Sequence, residues 1–599
     1  MEGLEVTVLL GLTILAGALL APRIRLALPL VLVVFGLALG FIPPLREVQL
    51  PPETVLLLFL PVILFWESLT TSLRSIRRDF HYILPMSTLL VVASAFAVAG
   101  VGVLFGMPWE IALILGAAVA PPDATAVAAL GRLLPRRTFM KLKAESLTND
   151  GTALVLYAIA VSLAVGGQVT PLSVTGMVLM SYVGGVAAGA VVAALGFLLL
   201  RRISSTMVIN VTLLLIPFTA FLLAEIVHAS GVLAVVVAGL AVAVVSPRVT
   251  TAASRRQTDA VWPFGVFLLN GALFVLIGLE VQFVVHEISG AAIGRLVLVT
   301  LAVWLVLLVV RFVFQLLTVP FQRTSGPRPP RGLRSRARVV STIAGMRGAV
   351  SLAIALSVPA GVAEGAGVSG RDEIVFVTAG VILLSLLVQG PLLPAVVRWA
   401  RIPVDHAADE EYELAERAIS GAALASLDEL ATTHGIGQEV RDRVRSEGYL
   451  MLELANARSL AREQALVDAE ARALDDLLGE PDPLGGAVVG AQASAVDQEG
   501  TDGGAVPAPL NVLPDITDGG TEGVTLQMIA TSADVDVMQR SPLIRHEEHS
   551  TLKLALLERK REVLLGLRRA GTVDDQIVRR ISARLDLEQV RLQGIEEFD

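Results

Sequence analysis

The segment ESLTNDGTALVLY, Glu145 to Tyr157, gathers groups that can bind a small cation inside an otherwise apolar stretch. At about 100° per residue, Ser146, Asn149 and Asp150 share one helix face while Glu145 points elsewhere. A hydroxyl, a carboxamide and a carboxylate converging from one helix are hard oxygen ligands, suited to Na+ and poorly suited to a soft metal. The plainer alternative is a hydrogen-bond cluster that only holds helices together. Packing needs no net charge, so the carboxylate argues for chemistry.

A second segment, AVAPPDATAVAAL, runs from Ala118 to Leu130. Pro121 and Pro122 remove two backbone donors and crowd the preceding turn, which predicts a helix break beside Asp123. Freed carbonyls and half-helix dipole ends then become available to Asp123, Thr125 and a bound ion. A simple proline kink is the alternative, but it leaves the carboxylate at the break unexplained. The third segment, AGMRGAVSLAIALSVP, Ala344 to Pro359, places Gly345 and Gly348 around Arg347. Its expected partner is Glu145, as a structural ion pair outside the ion site; snorkelling of Arg347 to the nearer surface is the competing expectation.

Glu67, in FLPVILFWESL, either lines an inner funnel as a further carboxylate or sits at the interface beside Trp66. Glu225, His228 and Glu280 lie near the outer ends of apolar runs, where solvated or packing roles are expected, and one histidine makes no metal site.

These residues need elements that hold them in a membrane. The chain is 54% hydrophobic and 17% charged over 599 residues, with mean hydropathy +0.71, more apolar surface than a water-soluble globule can bury. Apolar runs of about 20 residues recur up to Ala400, the length that crosses a hydrocarbon core of roughly 30 Å. Thirteen spans are expected, at about 4–21, 27–43, 54–70, 81–105, 109–131, 145–166, 172–200, 206–229, 231–246, 261–285, 292–320, 339–360 and 373–399. The first begins with Glu2 and Glu5 rather than a basic region, so it reads as a span and not as a removable signal.

Charge in the connections tests that count. Arg23 and Arg25; Arg74, Arg77 and Arg78; Arg132 to Lys143; Arg201 and Arg202; Arg248, Arg255 and Arg256; and the six arginines from Arg323 to Arg338 fall on one set of loops. The alternate set holds only Arg46, Arg295 and Arg371. This asymmetry puts the N-terminus outside and the C-terminus in the cytoplasm of a cell-membrane protein. Thirteen spans also permit two inverted six-helix repeats about a linking seventh, with spans 5 and 12 as broken symmetry mates.

Residues 1–400 form the expected membrane domain, with 27 Lys+Arg against 17 Asp+Glu, and residues 401–599 an acidic cytoplasmic tail with 20 against 38. Within the tail, 408–478 and 545–595 have helical spacing, and Gly, Asp, Ala and Pro dominate 481–525, which reads as a disordered linker. With no cysteine, thiolate metal sites, disulfides and cysteine nucleophiles are excluded.

In PPDATAV, ESLTNDGTALVLY and AGMRGAVSLA, over residues 5 to 400, the chain resembles the monovalent cation:proton antiporter-1 family, the sodium/proton exchangers, and especially its bacterial branch. The resemblance implies an all-α polytopic antiporter working as a homodimer in the lipid bilayer. No cofactor is implied beyond the transported Na+ and H+, and no nucleic-acid partner. By resemblance Asp150 carries the ion or the proton, Asn149 is its neutral neighbour, and Ser146 and Thr125 are supplementary ligands. Asp123 is the acid at the helix crossover, Glu67 a looser match, and Glu145 with Arg347 the stabilising pair. Many relatives have Thr-Asp-Pro at the crossover where this chain has Pro122-Asp123-Ala124, so the hydroxyl before the aspartate is missing.

The expected activity is electroneutral one-for-one exchange of Na+ for H+ by competition at Asp150, with spans 5, 6, 12 and 13 rocking against the remainder. K+ or Li+ as substrate, tail-based regulation, and a channel or sensor remain open alternatives. An intramembrane aspartyl protease is disfavoured, because the Gly-x-Gly-Asp string expected around one acid of its dyad is absent.

Overall fold

In hydrocarbon an uncharged run of Leu, Val, Ala and Ile has only its own backbone to hydrogen-bond with, and helix satisfies every N–H and C=O within one segment. The computed structural model describes residues 2–24, 26–42, 52–123, 134, 136–166, 170–287, 290–318, 331–359, 370–402, 407–478 and 542–593, and among these every regular element is helical. Nine helices among the described residues are long and apolar enough to cross a membrane, and three shorter apolar ones accompany them, Leu28–Leu39, Leu57–Leu69 and Trp109–Val119. Leu12, Leu19, Leu195, Phe264 and Leu305 are each more than half exposed, as side chains facing lipid must be.

Ten helices matter most below: α1 (Leu28–Leu39), α2 (Pro52–Leu69), α3 (Leu73–Ser87), α4 (Trp109–Val119), α5 (Arg136–Ala164), α6 (Ala252–Glu287), α7 (Gly290–Leu317), α8 (Arg331–Ile343), α9 (Ala349–Leu356) and α10 (Asp575–Gln593). Small residues let these helices touch backbone to backbone. At the crossing of α1 and α6, a Cβ on Gly36 would stand 2.1 Å from the Val275 carbonyl oxygen, and one on Gly278 would stand 2.2 Å from that of Val33.

Two interruptions organise the centre. Helix α4 ends at Val119, and Pro121, Pro122 and Asp123 follow outside it. Residues 344–348 separate α8 from α9. The unwound stretches meet where the Asp123 amide donates to the Met346 carbonyl at 2.8 Å.

The division of the chain differs from the expected boundary at residue 400. One compact unit joins Met1–Ala408 to Gly571–Val590, and the other holds Asp409–Ala570 and Arg591–Asp599. The expected helical block 545–595 is therefore split: Pro542–Arg569 belongs to the second unit and most of α10 to the first. Ile577, Val578, Ile581 and Leu585 of α10 are buried, an apolar face that its surface charge pattern conceals. In the second unit Leu427, Val440, Val444, Leu552 and Leu556 form a small core, edged by the Lys553–Glu447 pair at 2.7 Å. The linker expected at 481–525 lies outside the described residues.

Candidate cation site

One cavity brings together Glu67 from α2, Asp123 from the first break, Ser146 and Asp150 from α5, and Asn270 from α6. Phe59, Leu60, Ile63, Leu273, Val350 and Ala353 supply its apolar wall. Ser146 and Asp150 stand one helical turn apart on α5, so both point the same way. Three carboxylates thus share one small, largely apolar cavity with a hydroxyl and an amide, a set of hard oxygen donors that can coordinate a cation.

Asn149 is fully buried and turned toward the break, donating through Nδ2 to the Pro122 carbonyl at 2.8 Å. The Pro122 carbonyl lies past the end of α4, and Asn149 supplies its donor from α5. Its Oδ1 is buried with no hydrogen-bond partner. Asn149 therefore ties the helix of Asp150 to the broken helix of Asp123. Thr125 lies outside the described residues.

Gly348 explains the second break. A Cβ at this position would fall 1.7 Å from Asp123 Oδ2, so only glycine lets the carboxylate lie against the backbone that starts α9. Gly348→Ala is expected to force the crossing apart at a cost of ~1–3 kcal/mol and to lower ion exchange about tenfold or more. Thermal unfolding in detergent together with exchange in vesicles checks this; a variant matching wild type in both shows the crossing is not rigid.

The structure corrects the expected pairing of Glu145 with Arg347. Glu145, fully buried on the side of α5 away from the cavity, is gripped in a fork by Arg311 of α7, with Nη1 to Oε1 at 2.6 Å and Nη2 to Oε2 at 3.0 Å. Arg311 Nε donates to the Ser341 carbonyl at 3.0 Å, and a Cβ on Gly345 would stand 2.7 Å from that same Nε. Arg347 instead donates to backbone: Nε to Val119 O at 3.0 Å, Nη2 to Ala120 O at 3.2 Å, and Nη1 to Gly345 O. The Val119 and Ala120 carbonyls stand at the C-terminal end of α4, where the helix dipole favours a cation. Arg347 does not snorkel; it is buried as the cap of a half-helix.

Residues 10–399 match the family described as sodium/hydrogen exchanger, transmembrane. The chain belongs to the sodium/hydrogen exchanger family. Its members are transporters rather than enzymes. The exchanger is 36% identical over 596 residues to an uncharacterized Na+/H+ exchanger of Mycobacterium tuberculosis, covering 98% of this chain and 96% of that one. It is 30% identical to the low-affinity Na+/H+ antiporter NhaS1 of Synechocystis, over 75% of this chain and 87% of the relative. The sodium proton antiporter MjNhaP1 of Methanocaldococcus jannaschii shares its fold, with TM-score 0.53 and 17% identity, over 67% of this chain and 98% of that one.

Three residues of the exchanger's site region escape sequence reasoning. Arg311 stands alone in LVLLVVRFVFQLL, and the rule that a charge inside a span demands a partner was enough to find it. Asn270 is uncharged, so a search for charges passes over it. Lys143 counts as a loop residue by position, yet its Nζ donates to Thr70 Oγ1 at 2.7 Å, beside Glu67.

Proposed function

We propose that the protein exchanges Na+ for H+ one for one across the cell membrane, with cation and proton competing for Asp150. The observation that carries this reading is the shared cavity of Glu67, Asp123, Ser146, Asp150 and Asn270. Oxygen donors surround a carboxylate there in an apolar wall, so a bare Asp150 is penalised and only the protonated or cation-loaded form crosses. Ser146, Asp123 and Glu67 line the same cavity and are the supplementary ligands of this reading, Thr125 follows from the resemblance, and Asn149 stays neutral as a brace for the crossing.

Thirteen spans, with inverted repeats about the seventh, remain the architecture of this reading. It is supported by the nine long and three short apolar helices and by a further break at Gly345–Gly348 in the place of the twelfth span. The inward position of the C-terminus rests on the basic connections, and a second copy of the chain as partner rests on the family resemblance.

Purified protein in vesicles loaded with a pH-sensitive dye tests the proposal. A Na+ gradient is expected to drive proton movement, and clamping the membrane potential at different values should leave the exchange driving force unchanged. Proton movement that follows the clamped potential ends the one-for-one reading; none at all ends the exchange reading. Li+ and K+ gradients in the same vesicles define selectivity.

A further inference from the structure

Helix α10, just over 500 residues after the elbow that joins α2 to α3, is fastened to that elbow by its first two turns and the residue before them. Asp574 Oδ2 accepts from Ser72 Oγ at 3.1 Å and from Ser75 Oγ at 3.0 Å, and Asp575 Oδ2 accepts from the Arg74 amide at 3.1 Å. Two carboxylates thus sit at the N-terminus of α3, where free N–H groups and the helix dipole attract anions. Arg579 donates to the Leu69 carbonyl, the last residue of α2, whose own end attracts a cation. The same short helix complements both charged ends of one elbow.

Two further attachments reach other elements. Gln576 Nε2 lies 2.9 Å from Met140 Sδ near the start of α5. At the other end, Arg255 at the start of α6 holds both oxygens of Asp586, with Nε to Oδ2 at 2.8 Å and Nη2 to Oδ1 at 2.6 Å, and Asp586 is only 4% exposed. Helices α2, α5 and α6 are the ones that carry Glu67, Asp150 and Asn270. The route from elbow to cavity is short: Thr71 Oγ1 donates to the Glu67 carbonyl at 2.6 Å, and Lys143 donates to Thr70.

We propose that α10 is a built-in strap over the basic mouth of the exchanger, holding the three walls of the cation cavity together and slowing exchange until it is released. The inference rests on the exchange reading for its effect on rate, but not for its effect on access. Any movement that separates α5 from α6 must lengthen the Gln576 or the Arg255–Asp586 attachment. Any movement that swings the α2–α3 elbow must break Arg579 from Leu69 and Asp574 from Ser72. Since packed helices switch between discrete arrangements, bonds made in only one arrangement bias the equilibrium toward it. The strap opposes rocking because it is anchored on both sides of the cavity.

The absence of native cysteine allows a direct test. A single Thr71→Cys, at a position buried in the elbow, reports access to the mouth through its rate of labelling by a hydrophilic maleimide in detergent. Arg255→Asp and Asp586→Arg, each alone, are expected to speed labelling and to raise Na+-driven proton exchange about threefold to tenfold in vesicles. Combining the two restores the pair with its charges exchanged and is expected to return both readouts toward wild type, which separates strap release from general damage. Labelling that ignores the single changes overturns the strap. Labelling that speeds up while exchange stays constant overturns its control of transport. An unaltered chain that shows no exchange, with labelling that still follows the strap, removes the exchange reading and leaves the cover in place.

Discussion

Asp150→Asn is expected to reduce Na+-driven proton movement to the background of empty vesicles while leaving the protein folded. The amide nearly matches the carboxylate in size and can still accept a hydrogen bond from its neighbours. It cannot take up or release a proton between the two faces of the membrane, and it brings no negative charge to balance Na+. Both halves of the exchange cycle therefore stop together. Stability should move the other way, because a charge inside a span costs roughly 2.5–3.5 kcal/mol and the amide does not carry that cost. Equal or higher thermal stability with no dye response is the expected combination. Full exchange by this variant would remove Asp150 from the centre of the site and direct attention to Glu67 and Asp123, the other acids of the cavity. A partly retained response with altered cation dependence would do the same, since the neighbouring carboxylates would then be carrying the ion.

How far the site was legible follows from what a periodicity can and cannot say. Helical spacing separates Ser146 and Asp150 from Glu145, and the structure keeps that separation, with the first two in the cavity and the third turned to α7. The breaks were legible because proline and glycine act on their own backbone: Pro121 and Pro122 stop α4 wherever the neighbours stand. Spacing names a face but not what lies opposite it, so the sequence alone does not distinguish Arg311 from Arg347 as the partner of Glu145. Arg347 and Arg311 both approach the centre. Flanking glycines mark Arg347 in the sequence, whereas Arg311 stands in an otherwise apolar run.

The strap is a different case. The pattern of α10 is that of any amphipathic helix, and nothing in it distinguishes a solvated face from one laid against the membrane unit. Its acidic start gains meaning only when the N-terminus of α3 is seen beside it. Asn270 shows the same limit from the polar side. A neutral amide in a span is cheap enough to pass as packing, and only the cavity gives it a role.

Arg311→Ala is expected to have the largest effect on stability. Arg311 and Glu145 are both about 1% exposed at their side chains, so removing the guanidinium leaves a buried carboxylate without its hydrogen-bonded partner. Breaking such a buried pair from one side costs ~3–5 kcal/mol. The Ser341 carbonyl also loses its donor. Thermal unfolding of detergent-solubilised protein should shift strongly downward, with loss of folded material on expression. Arg311→Lys should not rescue it, because an ammonium is a point charge and cannot occupy both carboxylate oxygens and the Ser341 carbonyl as the planar fork does. Neutralising the acid should help: Glu145→Gln combined with Arg311→Ala removes the uncompensated charge and is expected to recover a large part of the loss. This double change also decides between the two arginines. Arg347 holds backbone carbonyls at the end of α4, so Arg347→Ala should damage the crossing and exchange, and Glu145→Gln should not repair it. Rescue of Arg347→Ala, with none for Arg311→Ala, would restore the pairing of Glu145 with Arg347. Rescue confined to Arg311→Ala places the membrane ion pair between α5 and α7. That pair would then fix the back of the helix whose front face carries Asp150.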